Sequence, residues 1–148
     1  ENWGLTPGEM LNLQQANGLT TVKILVFHGN LVDSVTEIDT SLVSSIKTLC
    51  ADSAQFYLTD NGKCIQIMGT SVSKFTGIET VRTTLEFAAD EIAVFGDDDN
   101  DLEMLVQYPH SAAMGNSEEH IKSAAASVTL DNDNDGIAYA LRNILQII

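Results

Sequence analysis

Positive charge is scarce in this chain. Seven Lys and Arg face 21 Asp and Glu, for a net charge of −14. That balance argues against nucleic acid and anionic membrane as partners, because both need clustered cations to meet phosphate. Cysteine is rarer still: Cys50 and Cys64 cannot build a disulfide framework and suit a reducing cytoplasm, the expected location. No apolar run approaches the roughly 18 to 20 residues that span a bilayer. Glu1-Asn2-Trp3-Gly4 has neither the basic start nor the apolar segment of a signal peptide. Internal repeats and low-complexity linkers are absent. The three histidines (His28, His110 and His120) do not cluster in sequence, so no zinc pattern appears, and each reads as a surface or packing residue. What the chain does have is a 44% hydrophobic content over 148 residues, enough for one ordinary domain or two small ones with a real core.

The first part, residues 1–70, reads as a small α+β unit. A short helix is expected over residues 5–17, with Thr6 as N-cap and Pro7 at its first position. Residues 22–27 read as a buried strand. An amphipathic helix over 33–50 would place Val35, Ile38, Leu42, Ile46 and Leu49 on one face. Strands at 55–58 and 64–68 flank "TDNGK", where Asn61-Gly62 signals a hairpin. From residue 71 to 148 the rhythm changes. Ser73 can cap a helix running to about Phe87, with Phe75, Ile78, Val81 and Leu85 inward. Residues 92–95 form a continuous apolar strand suited to a parallel sheet buried on both faces. Helix over 100–107, strand over 111–114, helix from Ser117, strand over 127–130 and a last helix over 135–147 follow. In that last helix Ile137, Leu141, Ile144 and Leu145 share a face. Strand alternating with helix means an α/β layer.

The stretch "VFGDDDNDLEML", residues 94–105, carries the chemistry. Four aspartates fall within five positions directly behind the apolar strand, and their mutual repulsion calls for a cation or solvent to offset it. A strand that ends in Gly-Asp and turns into a helix presents side chains at the carboxyl edge of the sheet, where open α/β sheets bind ligands. Gly96 permits a sharp turn or close backbone approach. Asp97 would project into the crevice, and Asn100 would stand near the helix start, where anions are favoured. A carboxylate for Mg²⁺ beside such a helix start is coherent as a phosphate-ester site. The plainer reading of the same residues is a solvated turn with an N-cap.

"FGDDDNDLEML" resembles the fourth motif of the haloacid dehalogenase (HAD) superfamily of phosphatases, G-D-x-x-N-D-x-x-M-L in its Cof-type branch. "SAAMGNSEEHIKSAAASVTLDNDNDGIAYAL" is similar to that branch's tail, and "SVSKF" to its third motif, G-V-S-K-G. The likeness departs at Phe75, where glycine is usual, and at Ser117, where alanine is usual. It implies Mg²⁺-dependent hydrolysis of a small phosphorylated metabolite, such as a sugar phosphate or nucleotide, through a phospho-aspartyl intermediate. Position by position, it implies that Asp97 is a direct Mg²⁺ ligand and that Asn100 contacts phosphate or orients metal-bound water. Asp101 would complete the metal's surroundings from behind, holding Lys74 or water. Lys74 would neutralise charge on the transferring phosphoryl group, and Asn116 and Asn132 would be loop residues near the site.

The resemblance also shows what these residues do not contain. The family's nucleophile is an aspartate in an Asp-x-Asp-Gly-Thr segment on its first strand, followed by a phosphate-binding Ser or Thr on the second; neither is found. The expected fold is therefore α/β: residues 71–148 as the later half of a HAD-type Rossmann-like core, and residues 1–70 as the C-terminal part of an α+β cap. The strand bearing Asp97 normally lies beside the nucleophile strand, so an exposed apolar edge is expected, open to self-association or to pairing with the missing segment. "ILVFHGNLVDS" echoes the nucleophile stretch of other branches, but His28 stands where the nucleophile would be, and a cap strand fits better. "DNDNDG", residues 131–136, opens like a calcium loop, yet the twelfth position is Arg142 rather than a bidentate Glu, and a turn capping the final helix fits better. The alternative to a phosphatase fragment is a non-catalytic metal-binding or interaction module descended from such an enzyme.

Overall fold

Two kinds of strand pairing divide the chain. The computed structural model describes residues 22–30 and 34–147 and separates into two units, Glu1–Thr70 and Ser71–Ile148. The helix expected over residues 5–17 lies outside the described residues.

The first unit holds an antiparallel sheet in the order β2-β1-β4-β3. Its strands are β1 (Lys23–Asn30), β2 (Ser34–Thr36), β3 (Ala54–Thr59) and β4 (Cys64–Gly69). The hairpin at Asn61-Gly62 is present. Asp60, Asn61 and Gly62 all take positive φ, which Asn and Gly tolerate at little cost. The expected long helix is shorter than its apolar pattern. Helix α1 is Thr40–Cys50, and residues 34–36 pair with β1 instead. Asp39 decides the start, its carboxylate accepting from the N–H of Ser41 at 2.8 Å. Upstream, β-branched Val35 and Thr36 sit opposite Gly29 and His28. His28 thus lies within an antiparallel strand, and not in the parallel sheet whose first strand leads into Asp97.

In the second unit β5 (Ala93–Gly96), β6 (His110–Ala113) and β7 (Ser127–Val128) form a parallel sheet in that order. Helices α2 (Lys74–Thr84), α3 (Leu102–Gln107) and α4 (Glu119–Ala124) alternate with the strands. Val94, Met104, Leu105, Tyr108, Ala113 and Ile121 make the core, with Phe75 and Ile78 of α2 packed against it. Phe75, at the position where the resemblance expects glycine, sets its ring 6.0 Å from that of Tyr108. Val81 and Leu85 do not turn inward as their spacing suggests. They stand 56% and 58% exposed, because among the described residues nothing covers that end of the α2 stripe.

The last helix also departs from its pattern. It is α-helical only over α5 (Gly136–Tyr139) and widens into a π-turn at Ala140–Ile144, where the N–H of Leu145 donates to the carbonyl of Ala140. Ile137, expected on its inward face, is exposed. Strand β5 is the outermost of its sheet, and among the described residues its second edge is unpaired.

Candidate active site

Parallel pairing brings three loops to one edge of the second sheet. Gly96 aligns with Ala113, and Ala113 with Val128. The ladder runs on past the strands: the N–H of Met114 donates to Gly96 at 2.9 Å, and that of Thr129 to Ala113 at 2.9 Å. The segments that start at Asp97, Gly115 and Leu130 therefore leave the same carboxyl edge, where such sheets bind ligands.

Asp101 organises the first of these loops. Its side chain is 2% exposed, and both carboxylate oxygens are engaged. One accepts from the ammonium of Lys74. The other accepts from the backbone N–H of Asp97 at 3.1 Å and of Asp98 at 3.5 Å. A carboxylate buried this deeply needs such donors, since desolvating it unpaired is costly. Gly96 makes room for it. A Cβ there would overlap the Asp101 side chain, within 2.8 Å of its Cγ. Asn100, half-buried, sits in the single 3₁₀ turn Asp99–Asp101 between strand and helix α3.

Lys74 reaches this turn from the first position of α2. Ser73 caps that helix reciprocally with Thr76: the N–H of Thr76 donates to Ser73 Oγ at 3.1 Å, and the N–H of Ser73 to Thr76 Oγ1 at 2.9 Å. A cation is electrostatically unfavourable at a helix start, so Lys74 owes its place to Asp101. Further along α2, Glu79 accepts from Arg82 Nε and Nη2, each at 2.7 Å, and from Tyr108 Oη at 2.6 Å. The guanidinium, then the phenol, hold the Glu79 carboxyl down to about 2. Burial and then Glu79 push Tyr108 up to about 12. This knot joins α2 to the residue that follows α3, so the two carriers of Lys74 and Asp101 are braced together.

Asp97 is exposed, and Asn116 Nδ2 donates to its Oδ2 at 3.3 Å. Asn116 Oδ1 in turn accepts from the N–H of Asn132 at 3.3 Å, tying the three loops into one group. Among the sequence-predicted residues, then, Lys74 meets Asp101, and Asp97 meets Asn116. A further contact was not legible in the spacing: His120 Nε2 lies 2.7 Å from Asp99 Oδ1, and its Nδ1 lies 3.4 Å from Glu118 Oε2. The hydrogen bond to Asp99 raises the imidazole above its ordinary range.

Among the described residues no three His, Cys, Asp or Glu side chains form a ready-made metal cage. The donor chemistry nonetheless suits Mg²⁺, which keeps several waters and takes one or two carboxylates. Residues 131–135 are arranged otherwise, as an internally bonded cap: Asp131 Oδ1 accepts from the N–H of Asp133 at 3.1 Å and from Asn134 Nδ2 at 2.7 Å.

Comparison with known proteins agrees with the fold. The chain is 35% identical over 80 residues to the phosphatase YwpJ of Bacillus subtilis (strain 168), a stretch covering 54% of this chain and 28% of that protein. It is 34% identical over 85 residues to a phosphoglycolate phosphatase of Archaeoglobus fulgidus, covering 57% and 38% respectively. A solved subclass IIB sugar phosphatase of the HAD superfamily matches with a TM-score of 0.77 at 22% identity, over 93% of this chain and 48% of that one. The chain thus spans well under half the length of these curated relatives and about half of the solved one. The sequence pattern of the haloacid dehalogenase-like hydrolases matches residues 8–141. By that match the chain belongs to the haloacid dehalogenase-like hydrolase family.

Proposed function

We propose that this chain carries the later part of the active site of a Mg²⁺-dependent phosphatase. Its substrate class is a small phosphomonoester, such as a sugar phosphate or nucleotide, and its route passes through a phospho-aspartyl intermediate. The observation that carries the reading is the Lys74–Asp101 pair set beside exposed Asp97 at the carboxyl end of β5. Phosphoryl transfer asks little of a protein beyond positioning and charge stabilisation, and these residues supply both. The phosphatase relatives support the same reading.

Asp97 is the carboxylate that would hold Mg²⁺, with Asp101 behind it. When bound, the ion neutralises charge on the phosphoryl oxygens. Lys74, steered by Asp101, presents an ammonium to the transferring group and to the attacking carboxylate. Asn100 orients phosphate or metal-bound water, and Asn116 steadies Asp97 and borders the substrate. The attacking aspartate is not among these 148 residues, since no Asp-x-Asp-Gly-Thr segment occurs in them. The isolated chain is therefore expected to show no appreciable turnover.

Hydrolysis of p-nitrophenyl phosphate with Mg²⁺ tests this, alongside calorimetric titration of Mg²⁺. The expected result is no turnover by the 148-residue chain and Mg²⁺ binding that Asp97→Asn removes. Robust turnover, abolished by Asp97→Asn, would show that the nucleophile lies within the chain after all.

A further inference from the structure

Four aspartates share residues 97–101, and each carboxylate is differently engaged. Asp98 caps the turn, accepting from the N–H of Asp99 at 2.8 Å. Asp101 is buried against Lys74 and two backbone N–H groups. Asp99 is drawn towards helix α4 by His120, 21 residues further along the chain, at 2.7 Å. Asp97 remains exposed, its contact a neutral amide at the longer distance of 3.3 Å. Asn116 and His120 belong to one short segment and touch the turn at two places, on Asp97 and on Asp99. Of those two contacts the one on Asp99 is shorter and can carry charge. At Asp99 Oδ1 a divalent ion meets an imidazole already in place at 2.7 Å, whereas at Asp97 Oδ2 it meets only an amide at 3.3 Å.

We propose that His120 is a positioning residue of the acidic turn: by holding Asp99 against α4 it leaves Asp97 as the carboxylate that meets the divalent cation. This rests on the metal-binding reading of Asp97. It assigns His120 a role that neither its place in the sequence nor the phosphatase motifs give it. His120 acts on the ion through Asp99, which it meets at 2.7 Å.

Mn²⁺ is the probe, and the paramagnetic resonance signal of the free ion reports how much is bound. The wild-type chain is expected to bind at one site, weakened about tenfold or more by Asp97→Asn. In the His120→Ala background the freed Asp99 should take the ion, so that adding Asp97→Asn costs far less than in wild type. His120→Gln keeps a donor for Asp99 and should restore strict dependence on Asp97. The urea midpoint of His120→Ala is expected to match wild type, because the pair is half exposed. A purely structural histidine would shift that midpoint and leave the dependence on Asp97 intact. If Mn²⁺ binding by His120→Ala still vanishes with Asp97→Asn, the positioning role is overturned while the metal reading stands. If the wild-type chain binds no Mn²⁺, the metal reading falls and this role with it.

Discussion

Residues 97–101 and 131–135 read almost alike, as DDDND and DNDND, yet they fold by different means. Asn116 takes the N–H of Asn132, but the Asp131 carboxylate of the second loop is met from within the loop. Asp131 bonds within its own turn, Asp135 takes the left-handed conformation, and Gly136 tucks beneath Leu130. Its carboxylates otherwise face solvent, and water offsets their repulsion. The first loop is held from outside. Around its own buried carboxylate, a lysine from helix α2, an asparagine from the loop after β6 and a histidine from helix α4 converge on it. Composition does not separate a cap from a candidate active site. What separates them is whether distant parts of the chain bring donors to the loop.

The sharpest way to break this contrast is at Gly96. Adding a methyl group there collides with the Asp101 side chain. Gly96→Ala should displace the carboxylate from Lys74 and both backbone donors, costing about 3 kcal/mol in urea-induced unfolding. A loss below about 0.5 kcal/mol, the range of ordinary surface changes, would mean that the turn yields and that Asp101 does not fix it. Next in size is a matched pair of substitutions. Asp101→Asn leaves an amide N–H facing donors that need an acceptor and should cost about 2 kcal/mol. Asp131→Ala removes a self-contained cap and should cost about 0.5 to 1 kcal/mol. Equal losses would erase the distinction between the two loops.

How much of this was legible depends on the range of the contacts. The strand over 92–95, the turn at Gly96 and the cap at Ser73 follow from neighbours within a few residues, and their boundaries shift by only a residue or two. Lys74 was singled out by its motif alone, and its unfavourable place at a helix start gains meaning only with Asp101 beside it. Periodicity at Val81 and Leu85 identified an apolar stripe but could not say what covers it, and here the stripe runs out from under the core. Val35 looked helical because the pattern cannot weigh antiparallel pairing with Gly29. The π-turn at Ala140–Ile144 inserts a residue without any change in hydrophobic pattern. His120 was set aside because its partner lies 21 residues away, and nothing in their spacing joins them.

The smallest effect concerns that pair, and its sign can be derived. Its hydrogen bond with Asp99 raises the His120 imidazole above its ordinary value of 6.5; the charges of Asp99, Glu118 and Asp98 add to this, and partial desolvation opposes it. A raised value means that the folded chain holds the proton more tightly than the unfolded one. The contact is therefore whole below about 6.5 and fades as the pH climbs through the raised midpoint. Both side chains are about half exposed, so solvent screening leaves little of this in global unfolding. Local measurements are the place to look. The imidazole titration followed by NMR should have its midpoint above that of the unfolded chain, and Asp99→Asn should bring it back down. Over the same pH window amide exchange at residues 98–100 should quicken by more than the intrinsic base catalysis of exchange, because the turn loses its tether to α4 while the Lys74 contact keeps its hold on Asp101. An imidazole that titrates alike in wild type and Asp99→Asn would leave the acidic turn held by the buried pair and by Asn116, without His120.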